Sequence, residues 1–309
     1  MVSDRKPIEG PADIAVIDAH HHLWDLDNNP YPDWHNPRDG THLGDYRPIC
    51  KNYLIDDYLN DITNLNVVKS VHIEAGWKAT DWEGETAWIQ DVSDTSGYPQ
   101  AIVPSIDLKV DDAVSRLETL AGYKNVRGVR SRFLSPEQLG SGQFDTMPSP
   151  LDDARWRDNF CRLKVLNLCF ELQAPPPIMG IAAKVAQHFP DILFILSHAG
   201  LPLDRSKDGM ELWRSGMQSL AHLDNVHVKI SGLGMTDWNW TEESLAPVVH
   251  EVIDIFGPNR CLYGSNFPVD SLYANYSDLL TTIRHILSVY SSGEQHLILN
   301  ENAAKLYRI

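Results

Sequence analysis

The sequence predicts an α/β protein, a (β/α)8 TIM barrel, on three observations. Eight β-branched or aliphatic runs recur along the chain at a mean spacing of about 35 residues, the size of one βα unit. Segments of 3.6-residue apolar periodicity lie between them. No Gly-rich dinucleotide turn follows the first run, which disfavours the doubly wound open sheet, the other fold that alternates in this way.

The first run begins near Ile14 (IAVIDAHHHL) and opens into a long connection from Trp24 to Lys51 that carries Tyr31, Trp34, His35 and Tyr46. Loops of this length are functional or disordered, and the aromatic residues favour an ordered cover over a site. Helical periodicity over Tyr53 to Leu65 leads to the second run at Val67 (VVKSVHIEAG), and the third follows at Gln100 (QAIVPSIDL). A helix over Ala113 to Leu120 precedes the fourth run at Asn125 (NVRGVRSRF), and a second long connection spans Leu134 to Pro150. The fifth run starts at Val165 (VLNLCFELQA), followed by a helix over Ile178 to Phe189, and the sixth starts at Ile192 (ILFILSHAG). A helix over Leu212 to Leu223 leads to the seventh run at Asn225 (NVHVKISGL). The helix from Leu245 to Phe256 stops at Gly257-Pro258, and the eighth run begins at Arg260 (RCLYGSNFP).

Composition bounds the function. The 309 residues include 26 Lys+Arg and 42 Asp+Glu, a formal charge of −16, with 43% hydrophobic residues. A chain of this length buries roughly 75% of its unfolded surface and needs no staples. Its acidity argues against nucleic acid and against anionic membranes. No apolar stretch is long enough to span a bilayer, and Met1 to Ala12 lacks the apolar core of a signal peptide. Cys50, Cys161, Cys169 and Cys261 form no C-x-x-C pair, so neither a zinc knuckle nor a disulfide framework is expected. We expect a single domain over 1–309, with 1–12 a flexible arm, in the cytoplasm. Its partner is a small-molecule substrate, and a homo-oligomer is compatible with the sequence.

Barrel active sites lie at the C-terminal ends of the strands, so the residues there are the candidates. Period-2 alternation groups Asp18 with His20 and His22, and turns His21 toward the helices. It pairs His72 with Glu74, Arg130 with Arg132 and Glu171 with Gln173, and sets His227, Lys229 and Ser231 on one face. His198 ends the sixth run and Asn266 the eighth. Only the third run, ending Ser105-Ile106-Asp107, is uninformative. Burying so many polar groups costs stability. A ring of them at seven strand ends therefore reads as a site, although any one could cap a loop.

The run D-A-H-H-H-L-W-D is followed in order by V-H-I-E-A-G-W, E-T-A-W, G-V-R, L-S-H-A-G-L-P, V-K-I-S-G-L, L-Y-G-S-N-F-P-V-D and E-N-A-A-K-L-Y-R-I. From Asp18 to Ile309 this resembles the amidohydrolase-2 type family of the amidohydrolase superfamily. That family contains sugar lactonases, pyrone-dicarboxylate lactonase and sulfomuconolactone hydrolase. The resemblance implies a barrel hydrolase with His-x-His on the first strand. His20, His22 and His198 could hold one divalent ion, Zn. Metal-bearing relatives add a ligand on the fifth strand and an Asp on the eighth. Here Gln173, a poor zinc ligand, and Asn266, without charge, stand there, so no cofactor is expected.

The leading expectation is a hydrolase that opens a lactone of a carboxylated or polyhydroxylated substrate by water attack. His20, His22 and His198 would stabilise the oxyanion. Arg130, Arg132, Lys229, Gln173 and Trp24 would bind substrate, with Arg suited to a carboxylate. Asn266 cannot serve as base, so Asp270 is the first candidate and Glu74 the second, while Asp18 would orient His20 or His22. One alternative is a metal-dependent decarboxylase or C–C hydrolase acting on an aromatic or muconate acid. Another is a non-catalytic binding protein on the same barrel.

Overall fold

The structure, a computed structural model, describes residues 14–131 and 149–309. Arg132, residues 1–12 and most of the 134–150 connection lie outside the described residues.

All eight expected runs form strands: β1 Val16–His21, β2 Val67–Ile73, β3 Ala101–Val103, β4 Gly128–Arg130, β5 Cys169–Leu172, β6 Phe194–Leu196, β7 Val226–Ile230 and β8 Cys261–Tyr263. Neighbouring strands pair in parallel and in chain order within β1-β2-β3 and within β4-β5-β6-β7-β8. Parallel bridges Ile102–Val126 and Ser105–Arg130 join β3 to β4, and a bridge from His21 to Phe267 joins β1 to the end of β8, closing the barrel. The expected helices appear as Ile55–Asp61, Ala113–Gly122, Met179–His188, Lys207–Ala221 and Glu242–Phe256. Side chains fix their ends. Thr241 caps the last of these in a reciprocal pair with Ser244, and Gly257, at φ 75°, stops it.

Two apolar cores result. The larger lies between strands and helices and takes the outward residues Phe170, Leu172, Phe194, Leu196, Val226 and Val228. The smaller fills the barrel interior with Ile17, Ala19, Val71, Ile73, Ala101, Val103, Cys169, Ile195 and Leu262. Ala303, Leu306 and Tyr307 of the C-terminal helix Asn302–Tyr307 join it, entering at the N-terminal ends of the strands. Asn302 anchors that helix by donating to the carbonyls of Pro258 and Cys261, and Asn300 by donating to that of Ala15.

The first long connection is an ordered cover. It contains a short helix, Pro32–His35, and buries Trp24, Tyr31 and Tyr46. Trp24 stacks on Trp34 with centroids 4.3 Å apart. The loop is tied down by Trp34 Nε1 donating to the Ala75 carbonyl and Tyr273 Oη donating to the Leu43 carbonyl. No helix among the described residues is long and apolar enough to cross a membrane.

β1 departs from simple alternation. Its register against β2 shifts between Asp18, opposite Ser70, and His21, opposite His72, so three steps on β1 meet two on β2. The bulge puts Asp18 and His21 on the helix side together. Asp18 there accepts from Tyr58 Oη and Tyr276 Oη at 3.0 Å each and from Ser265 Oγ at 2.7 Å. Its carboxylate bonds the His20 backbone N–H and neither imidazole, so it does not orient His20 or His22 as alternation suggested. His21 stacks on Tyr58, as expected of a residue facing the helices. His72 also turns to that layer beside His21, because Val71 and Ile73 point inward, and so it parts from Glu74.

Candidate active site

Three imidazoles meet at the mouth of the barrel. The His20 ring lies 5.0 Å from that of His22 and 4.4 Å from that of His198, centroid to centroid. His22 donates from Nδ1 to the Ile73 carbonyl at 2.8 Å, which leaves Nε2 facing the site. Trp24, fully buried behind it, stacks on the His22 ring and donates its N–H to the Lys51 carbonyl. Trp24 thus braces a histidine.

His198 is placed by backbone of unusual conformation. His198, Ala199 and Leu201 have φ of 57°, 49° and 53°, and Asn266 on the eighth strand end has 59°. Such non-glycine residues cost energy that the surrounding structure must supply, and they cluster at functional sites. Ser231 Oγ accepts from the His198 N–H at 3.3 Å and lies 3.1 Å from its Nδ1. Two glycines make room for the rings: a Cβ on Gly232 would lie 2.4 Å from His198 Nδ1, and one on Gly264 2.7 Å from His20 Cβ.

Asn266 stands between the imidazoles and a carboxylate. Its Oδ1 lies 3.4 Å from His22 Nε2, and its Nδ2 donates to Asp270 Oδ1 at 3.0 Å. Asp270 sits four residues on, in the turn Val269–Leu272, with 2% exposure. Burial raises its pKa to about 7, against the lowering effect of the Asn266 amide and the Gly234 backbone. Its Oδ2 has no hydrogen-bond partner among the described residues.

The cations are held in place. Arg130, 5% exposed, donates to Glu74 Oε1 at 3.4 Å and to Gln173 Oε1 at 3.0 Å. Glu74 also accepts the Gly76 N–H, so it is committed to the arginine and the backbone. Lys229 is fully buried below the histidines, donating to Glu171 Oε1 at 2.8 Å and lying 3.5 Å from His20 Nδ1. Burial lowers the pKa of all three imidazoles, that of His22 to about 4, and Arg130 lowers each further. All three rings are therefore neutral near pH 7. Each cation is matched by a buried carboxylate, Arg130 by Glu74 and Lys229 by Glu171, so the formal charges of the two pairs balance beside three neutral imidazoles.

His20, His22, His198, Asn266 and Asp270 thus form one cluster, with Arg130, Gln173 and Glu74 a second against it and Lys229 beneath both. Three participants escaped the sequence reading. His42, from the covering loop, lies near enough to His198 to lower its pKa. Ser231 was placed on a strand face without its bond to His198. Tyr307 donates to Glu171 from the far end of the chain.

The three imidazoles are not backed alike, as the ligands of one zinc ion would be. A zinc-bound imidazole donates its other N–H to an acceptor. His22 does so, but His20 Nδ1 meets the Lys229 ammonium, which can only donate. Glu171 and Glu74 are engaged by cations, and Gln173 and Asn266 carry no charge. Among the described residues no three His, Cys, Asp or Glu converge as metal ligands.

The family model described as Amidohydrolase matches residues 17–309. The uncharacterized protein y4mH of Sinorhizobium fredii is 39% identical over 298 residues, covering 96% of this chain and all of that protein. An L-fucono-1,5-lactonase of Burkholderia ambifaria is 26% identical over 272 residues, covering 85% of this chain and 83% of its own length. Among solved structures, an amidohydrolase of Burkholderia multivorans with bound zinc superposes with a TM-score of 0.81 at 20% identity, covering 96% of this chain and 99% of that one.

Proposed function

The chain belongs to the amidohydrolase family, and from that premise we propose that it is a hydrolase that opens a lactone by direct attack of water, without a metal. The observation that carries the reading is Asp270. It is a buried carboxylate whose pKa sits near neutrality, bonded to Asn266 next to His22, with one oxygen unpartnered among the described residues. A general base works best with its pKa near the working pH.

In the proposed reaction Asp270 Oδ2 takes a proton from water as its oxygen bonds the lactone carbonyl carbon. Negative charge moves to the carbonyl oxygen, where His20 and His198 donate hydrogen bonds. Collapse of the tetrahedral species breaks the ring C–O bond, and the proton on Asp270 passes to the departing alkoxide. Water and lactone become a hydroxy acid, and the enzyme returns to its starting state. Arg130 anchors a carboxylate or hydroxyls of the substrate, with Gln173 beside it. The donors of Arg130 and Gln173 and the neutral imidazoles suit a carboxylated or polyhydroxylated ring. Arg132 belongs with this group as an expectation of the sequence alone.

The lactonase-named relative supports this reading at the level of reaction class. The metal-dependent decarboxylase alternative needs a dication that the ammonium beside His20 opposes. A panel of sugar and carboxylated lactones with a pH indicator tests the proposal, run with wild type and Asp270→Asn after exhaustive chelation. Acid release that survives chelation and falls with the variant is expected. Turnover that vanishes with chelator and returns with zinc would refute the metal-free route, and a silent panel would favour the non-catalytic alternative.

A further inference from the structure

A buried chain of hydrogen bonds runs up the barrel interior to His20. Tyr307, in the helix that closes the opposite end, donates to Glu171 Oε1. Ser197 Oγ donates to Glu171 Oε2 at 3.4 Å. Glu171 accepts Lys229 Nζ at 2.8 Å, and the ammonium lies over the Tyr307 ring at 5.4 Å. Lys229 Nζ then lies 3.5 Å from His20 Nδ1, while His20 Nε2, buried, has no partner among the described residues. Glu171, Lys229 and Tyr307 are all fully buried.

Such a pair is a poor device for stability alone, because removing two charges from water costs about what their attraction returns. Its geometry toward His20 gives it a use. An ammonium has three donors and no acceptor. The only hydrogen bond it can make to Nδ1 is one in which Nδ1 accepts, and a proton on Nδ1 would point at a cation. A neutral His20 facing Lys229 therefore carries its proton on Nε2. His22, whose Nδ1 donates to a carbonyl, is set the opposite way, with its lone pair on Nε2. His20 in β1 and His22 just past its end thus present a donor and an acceptor to the same space.

We propose that Lys229, held by Glu171 and Tyr307, is a positioning residue that locks His20 as the Nε2–H tautomer and so makes it an oxyanion donor. The inference deepens the lactone-opening reading and rests on it for its kinetic arm only. It gives the lysine a role other than substrate contact, and it makes the C-terminal helix part of the catalytic support.

The test is 15N-resolved NMR of the imidazole rings at pH 7, in wild type and in the double variant Lys229→Met/Glu171→Leu. The double variant removes both buried charges, because Lys229→Met alone would leave Glu171 buried without its cation. Wild-type His20 should show the Nε2–H tautomer alone, and the double variant a mixture or the Nδ1–H form, with His22 unchanged in both. On a lactone that wild type opens, the double variant should lose about 100-fold in kcat, with KM within about threefold. Lys229→Arg, which keeps a donor, should retain more activity than the double variant. Wild-type His20 as Nδ1–H, or a tautomer unchanged in the double variant, would overturn the proposal. A wild type inactive on every lactone would sink the lactone reading, and the spectrum would still decide this one.

Discussion

Replacing Asp270 with Asn should raise stability and destroy activity, each with a pH signature. The Asp270 carboxyl titrates near 7 in the folded protein against an ordinary 3.8, and burial is the main cause. The native state therefore holds that proton more tightly than the unfolded chain. Between about pH 4 and 7 the native protein binds more protons than the unfolded one, so stability falls as pH rises through this window and levels above it. The full rise corresponds to about 4 kcal/mol, an upper bound that relaxation around the charge reduces. An amide of the same shape keeps the bond from Asn266 and carries no charge to desolvate. Asp270→Asn should thus be about 1–3 kcal/mol more stable at pH 8, or about 2–6 °C in Tm for a chain of this size. At pH 4.5 the two proteins should melt within about 1 °C of each other.

Activity should move the opposite way. Wild-type kcat/KM should fall on the acid side with a midpoint near 7. The variant should lose about 10²–10⁴ in kcat, the usual worth of a general base, and its residual rate should lack that limb. Differential scanning calorimetry at the two pH values and a pH–rate profile supply both readouts. Equal Tm differences at pH 4.5 and 8, or a retained limb near 7, would remove Asp270 from the base role and pass it to Glu74.

Four further outcomes are expected. His198→Ala should lower turnover about 100-fold or more, as loss of an oxyanion donor does, with Tm close to wild type, since the ring sits at the barrel mouth; near-normal turnover would remove that histidine from the chemistry. Arg130→Met should raise KM much more than it lowers kcat, as lost ground-state anchoring does; calorimetry should also record a lower Tm, because Glu74 loses a buried partner. Gly232→Ala should lower kcat while leaving the fold intact by circular dichroism, because the new methyl would overlap His198 Nδ1 at a φ of 60°; full activity would show that the His198 ring position is not limiting. Asn266→Asp should raise the pKa of His22 and increase zinc affinity, measured by NMR titration and calorimetry, since it sets a carboxylate beside the imidazole; unchanged values in both would contradict the Asn266–His22 contact.

Most of the fold was legible because strand and helix periods are local properties. Each of the eight runs lies within a few residues of its strand, and Gly257-Pro258 marked its helix end. Alternation failed where the backbone did, at the β1 bulge, which no residue type in D-A-H-H-H announces. It therefore misplaced Asp18 while placing His20, His21 and His22 well, and His72 parted from Glu74 because β2 ends at Ile73. The strand-end residues His198, Asn266, Asp270 and Arg130 were visible as polar groups in apolar surroundings. Their partners were not, because the links Lys229–Glu171–Tyr307 and Asn266–His22 join segments 58, 136 and 244 residues apart.

The departure at Asn266 takes on a different meaning once Asp270 is seen beside it. Read along the chain, Asn in place of a carboxylate on the eighth strand looks like the loss of a base. In space the carboxylate lies one turn further on, bonded to the Asn266 amide whose oxygen lies 3.4 Å from the same imidazole. The position also changes its chemistry. A carboxylate at 266 itself would sit directly against His22, where ionisation is favoured and a dication could be shared. At 270 it is buried, its main contact is a neutral amide, and its pKa rises to about 7. On the other flank Lys229 and Arg130 hold Glu171 and Glu74 in ion pairs, so those carboxylates are engaged by protein cations. In the proposed metal-free reaction, a weakly acidic carboxylate at 270 and an ammonium beside His20 are the two features that replace a metal. If each opposes a metal independently, zinc dependence should appear only with both Asn266→Asp and removal of the Lys229 charge.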